Sequence, residues 1–174
     1  MNRILSLISI LGFIAALIVH ATTFANMDLI EKFPLVWSLH VGIFVVFILF
    51  ILNARKSLGG NFDFAKLRAM IPTWAGILLL LTFIYAIINF VLFLFFSEGG
   101  VPDIKDGQFI LHSHGKLIRY LTEQEYHMKK AYVLRAFSGY WLTFYLAPAL
   151  YFLFESRARQ GVGRVEQSET RRGF

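Results

Sequence analysis

The chain has 174 residues, of which 57% are hydrophobic and 17% aromatic, while only 16% are charged. That composition takes it out of the soluble globular class, and the absence of cysteine excludes disulfides, thiolate metal sites, cysteine nucleophiles and covalently attached c-type haem. The net charge of +6 does not make a nucleic-acid-binding face, because the basic residues flank apolar runs or fill a short tail, and no nucleic-acid partner is expected.

Four runs, at about 4–24, 34–53, 73–96 and 133–154, approach or exceed the ~20 apolar residues that a bilayer span requires. In the first, Ser9, Gly12, Ala16, His20 and Thr23 recur at helical spacing and form a small or polar stripe of the kind a helix turns toward its neighbours in lipid. Arg3 and the sequence Thr23-Phe24-Ala25 loosely resemble a cleaved signal, but the run is read as a retained helix. Pro34 opens the second span, with Trp37 placed as an interfacial aromatic. Residues 54–72 are basic and interrupted at Gly59-Gly60, and 61–70 reads either as an amphipathic piece on the membrane surface or as a plain loop.

The third span carries Thr82, Tyr85 and Asn89 on one face, and an Asn in hydrocarbon calls for a partner, usually on another helix. A strap follows at 98–132. It starts with a turn-rich exit, continues as a β-hairpin of Gln108–His112 and Lys116–Leu121 around Ser113-His114-Gly115, and ends with a capping box at Thr122-Glu123-Gln124-Glu125. A helix starts there and runs into the fourth span, where Pro148 removes a backbone donor and predicts a kink. Residues 155–174 lack apolar periodicity and predict a disordered basic tail.

The predicted fold is therefore an all-α membrane protein, a four-helix transmembrane bundle over residues 1–154 with a small exoplasmic hairpin-plus-helix strap between helices 3 and 4. Arg3, the basic residues of 54–72 and those of the tail all fall on one side of such a bundle. The bias of Lys and Arg toward cytoplasmic segments then places both termini in the cytoplasm and the strap outside.

Histidines within spans are costly and normally face a bundle interior. Counted at about 1.5 Å per residue, His20 and His40 lie at one depth on neighbouring antiparallel helices. That arrangement suits axial ligation of haem b, a zinc or copper site, or a purely hydrogen-bonded pair, with Tyr85, Asn89, Thr22 or Thr23 as supporting groups. In the strap, strand periodicity would put His112 and His114 on one face. They form a candidate zinc or copper pair with His127 as a third ligand, although His114-Gly115 also fits a plain turn. Lys116, Arg119, Arg135 and Trp141 are candidates for holding a partner or an anionic head group, while for Arg135 and Lys116 a snorkelling membrane anchor is the favoured reading. Glu123, Glu125, Lys129 and Lys130 read as a solvated helix face. Tyr140, Trp141, Tyr145 and Tyr151 offer flat apolar surface to a quinone, a carotenoid or lipid tails, or simply pack.

The motifs W-S-L-H-V-G-I-F at 37–44, Y-A-I-I-N-F at 85–90, D-G-Q-F-I-L-H-S-H-G-K-L-I-R-Y-L-T-E-Q-E-Y at 106–126 and R-A-F-S-G-Y-W-L-T-F-Y at 135–145 resemble a family of small bacterial four-span integral membrane proteins of uncharacterised function. The resemblance implies a bacterial inner-membrane location and brings no substrate or cofactor with it. His40, Asn89, His114, Arg119, Glu125, Arg135 and Trp141 fall on its motifs. Three functions follow as expectations. The first is an inner-membrane binding or accessory protein holding a ligand or partner in the outer half of the bundle, in contact with membrane lipids and with a membrane protein or a second copy. The second is a haem b redox protein exchanging electrons with quinone, and the third is a membrane enzyme acting on a lipid or isoprenoid.

Overall fold

A computed structural model describes the backbone of residues 2–27, 29–57, 65, 68 and 70–172, and the side chains of these residues as far as Glu155. Its long helices are α1 (Asn2–Thr22), α3 (Ser38–Ser57), α4 (Thr73–Phe96) and α5 (Glu123–Arg172), with a one-turn helix α2 (Leu29–Lys32) between the first two. All four are long and apolar enough to cross a membrane, α5 by its stretch up to Glu155. The bundle is not all-α: β1 (Val101–Lys105), β2 (Gln108–Ser113) and β3 (Lys116–Tyr120) form an antiparallel sheet in the order β1-β2-β3. The helix backbone continues to Arg172 where composition predicts a disordered tail, consistent with the low cost of extending a helix already nucleated. The surface piece expected at 61–70 lies mostly outside the described residues.

The bundle is organised around α5. Buried positions make up 72% of its span, against 39% for α1, 17% for α3 and 11% for α4, so the other three helices coat one helix. α1 packs along it most extensively, then α4 and α3. The stripe read from the sequence of α1 is the face that meets it, with Ser9, Ala16, His20 and Thr23 all buried. On the other side Gly139 of α5 lies against Ala86 and Asn89 of α4, a close approach of the kind small residues allow in lipid. Among the described residues Asn89 makes no hydrogen bond to another helix, although its position in the sequence suggested one; its amide donates back to Tyr85 O at 2.8 Å.

Tyr145 holds α1, α3 and α5 together. Its ring lies against Gly12 of α1 and its hydroxyl against Gly42 of α3, where a Cβ at either glycine would overlap it. The hydroxyl donates to Leu39 O at 2.7 Å. Around it, Ala16, Val19, Ile43, Val46, Leu134, Trp141 and Leu142 form the largest buried cluster.

At one end of the bundle the sheet is joined to α4 and α5 by charge. Glu98 follows α4 in a left-handed conformation, φ 53°. Its carboxylate accepts from Lys129 Nζ at 2.8 Å and from Arg119 Nε at 3.0 Å, and Arg119 also reaches Glu125 at 2.9 Å. Glu125 in turn closes the expected capping box with Thr122, accepting from its amide at 2.8 Å and donating its own amide to the hydroxyl at 3.2 Å. Lys129 is therefore not on a solvated face; it is 5% exposed and also donates to Phe96 O, a carbonyl left over at the end of α4. The two tight turns, Asp106-Gly107 and His114-Gly115, have both residues at positive φ, which matches the twist of hairpin strands. β1 falls in the segment read as a turn-rich exit. It is an edge strand, where Pro102 is tolerated.

Two measurements check this arrangement. Gly42→Ala is expected to destabilise the purified protein by about 1–3 kcal/mol through overpacking, and adding Tyr145→Phe should recover part of that loss because the hydroxyl is the atom in the way. Gly12→Ala should not be rescued, since it meets the ring. For the strap, the arginine and lysine around Glu98 hold its carboxyl down to about 2 from an ordinary 4.5. This contribution is complete above about 4.5 and is lost as pH falls toward about 2. Amide protection in β1–β3, relative to unstructured-chain rates at the same pH, should therefore fall across that window, and Glu98→Gln should show low protection at neutral pH with the acid step removed.

Candidate functional site

The two span histidines do not meet. His20 lies in the seam between α1, α4 and α5, with Nδ1 2.8 Å from Ser138 Oγ and Nε2 2.6 Å from Tyr85 OH. Ser138 donates its single hydroxyl proton to Leu134 O at 2.7 Å. It must then accept from His20 Nδ1–H, which leaves Nε2 to accept from Tyr85. Both nitrogens of His20 are thus occupied by protein. Arg135 covers the end of the same seam. It donates to Thr23 O at 2.6 Å and Thr23 Oγ1 at 3.2 Å, and its guanidinium stacks on Phe24 and Tyr132 at 4.3 and 4.9 Å. A cation on the last carbonyls of α1 and its 3-10 extension also opposes the helix dipole.

His40 lies on the α3 side of α5. Its Nδ1 accepts from Trp141 Nε1 at 3.1 Å, and its ring packs edge-on against Trp37, Phe44 and Phe137. Trp141 is fully buried. An indole N–H can only donate, so neutral His40 carries its proton on Nε2. Among the described residues that Nε2 has no hydrogen-bond partner, and neither has the hydroxyl of Tyr140.

His40 and Tyr140 line one cleft. α3 and α4 both pack on α5 and, among the described residues, make no extensive contact with each other, which leaves a strip of α5 open between them. An upper section of about 260 Å³ is lined by His40, Phe44, Phe137, Tyr140, Trp141 and Phe144 among others. A second of about 450 Å³, between Phe47, Phe50 and Ile51 of α3 and Gly76, Leu79, Leu80 and Phe83 of α4, continues along Tyr140, Phe144 and Ala147. Phe47, Tyr140 and Phe144 border both. No lining residue carries a fixed charge. The sections together have the size and the mostly apolar lining of a small-molecule site.

The remaining candidates are separated or internally paired. His112 lies on β2 with Nε2 3.6 Å from Asp103, and its Nδ1 is buried without a partner. His114 is in the turn at φ 49°, so strand alternation does not aim it with His112. His127 is on α5, 3.9 Å from Glu123 and beside Phe109 and Tyr126. Among the described residues no three histidines or carboxylates are grouped to hold a metal. Arg119 is taken up by Glu98 and Glu125, which raise its pKa, while Lys116 is exposed at the start of β3. Residues that the sequence did not single out are Glu98 and, at the opposite end, Glu155. Glu155 is 2% exposed, accepts from Ser57 Oγ at 2.9 Å and is bonded by Asn2.

Tyr85→Phe removes the donor to a buried imidazole, and the cost in thermal or denaturant unfolding should be about 0.6–1.7 kcal/mol, the range for hydrogen bonds between membrane helices.

No family model, curated protein or solved structure matches this chain.

Proposed function

We propose that this is an integral membrane binding protein that takes an apolar ligand sideways from the bilayer into the cleft between α3 and α4. The observation that carries the reading is the pair of unpartnered polar groups, His40 Nε2 and Tyr140 OH, in a cleft where the one other polar side chain among the lining residues, Thr143, is bonded to Thr82 O and the rest of the wall is apolar. Polar groups left unpaired in hydrocarbon are costly, and a ligand that pairs them recovers that cost. With the termini on the cytoplasmic face, as the distribution of Lys and Arg supports, the upper section lies in the outer half of a bacterial inner membrane.

The alternative of haem b between His20 and His40 draws no support from this geometry, because the rings occupy different seams and His20 has no free nitrogen. Its axial use would require displacing Tyr85.

The test is the set of apolar molecules that co-purify in mild detergent, read by mass spectrometry of an organic extract. Ala147→Phe fills the cleft, whereas Ile18→Phe changes a lipid-facing position of α1 that is 59% exposed. A molecule enriched over bulk lipid in the wild type, retained in Ile18→Phe and lost in Ala147→Phe is expected. Identical extracts from all three would reject the cleft as the site.

A further inference from the structure

We infer that the cleft recognises a prenylated quinone of the bilayer, with His40 Nε2–H and Tyr140 O–H donating to ring carbonyl oxygens. This rests on the cleft reading above and adds the chemical class of the occupant.

The argument starts from which atoms are donors. Trp141 Nε1 donates to His40 Nδ1 at 3.1 Å, and this fixes Nε2 of the neutral ring as an N–H. An N–H cannot accept. His40 therefore selects an acceptor in the ligand, and Tyr140 offers a second donor on the border of the same upper section.

Charge narrows the choice further. With no lysine, arginine, aspartate or glutamate among the lining residues, an ionised carboxylate, phosphate or ammonium would be held without a counter-charge in a low-dielectric site. Fatty acids and phospholipid head groups are disfavoured on that ground. The acceptor must be neutral, as a carbonyl is.

Shape supplies the third criterion. Phe44, Phe137, Trp141 and Phe144 surround the upper section with flat rings that suit a planar head. Below it, the larger section between α3 and α4 is bordered by Phe47, Leu79, Leu80 and Phe83, with almost no polar surface to interrupt an isoprenoid tail. Head donors at one end and a hydrocarbon-lined trough at the other match a molecule with a flat dicarbonyl ring and a single branched chain.

Radiolabelled decylubiquinone, binding to the purified full chain and measured by scintillation proximity, tests this directly. Decylbenzene serves as competitor because it keeps a ring and tail but lacks carbonyls. Saturable quinone binding is expected in the wild type. Tyr140→Phe should weaken it about two- to tenfold, the value of one hydrogen bond, and leave the affinity for decylbenzene unchanged. His40→Gln, whose amide can serve both Trp141 and the ligand, should retain more binding than His40→Leu. Absent quinone binding, or equal affinity for quinone and decylbenzene with no effect of Tyr140→Phe, overturns the inference. If the co-purified molecule nevertheless still depends on Ala147, the cleft stands with a different occupant. If Ala147→Phe changes neither the extract nor quinone binding, the cleft itself is rejected; should that variant fail to accumulate, Leu80→Trp fills the same trough from a lipid-exposed position of α4.

Discussion

The constraint on which this structure depends is that one helix must pack against three others in a medium where apolar surface alone does not drive association. Helices in lipid are held by close fit and by hydrogen bonds that have no better partner. α5 supplies both. Tyr145 places its ring and hydroxyl into the gaps left by Gly12 and Gly42, and bonds the Leu39 carbonyl of α3. Gly139 lets α4 approach at Ala86 and Asn89, and Ser138, Trp141 and Arg135 reach His20, His40 and Thr23. Three neighbours do not close the circumference of α5, and the strip between α3 and α4 is what they leave uncovered.

The same logic explains why the two span histidines differ. His20 is enclosed on all sides, and each nitrogen has a hydroxyl. It behaves as a packed polar residue that ties α1 to α4 and α5. His40 has one nitrogen fixed by Trp141 and the other beside the open strip. The difference lies in where each falls around α5, which decides whether the ring is enclosed between helices or borders the cleft.

That angular coordinate is what the sequence does not carry. Spacing along a helix gives depth, so the four spans, the buried stripe of α1 and the polar positions of α4 were legible from periodicity. The capping box at Thr122 and the turn at His114-Gly115 were legible from local chemistry. Whether His20 and His40 face one another depends on the rotation and lateral order of separate helices, for which one sequence offers no measure. β1 was hidden because Val101–Lys105 holds a proline and a charge pattern typical of loops, and only its pairing with β2 makes it a strand. Lys129 looked solvated because its partners, Glu98 and Phe96 O, are more than thirty residues away. Of the cleft, Tyr140 and Trp141 were visible as aromatics on the last span, but the gap beside them follows from which helices pack closely on α5 and which do not pack closely on each other.

The two walls of the cleft are anchored differently. α4 is fixed at its strap end, where Glu98 and the Phe96 carbonyl hold Lys129 of α5 and Arg119 of the sheet. α3 is bonded to α5 near its two ends, by Trp141 and Tyr145 at His40 and Leu39, and by Tyr151 at Ser57, a residue that also bonds Glu155. Between those ends Phe47, Phe50 and Ile51 contribute apolar contacts without directional bonds, and this is the stretch that borders the larger section. A trough with one wall pinned and the other held at its ends can accept chains of differing bulk without breaking a hydrogen bond. The polar end stays set by the Trp141–His40 bond. Selectivity in such a site would come from the head and tolerance from the tail, a division that arises from where the bonds of α3 lie.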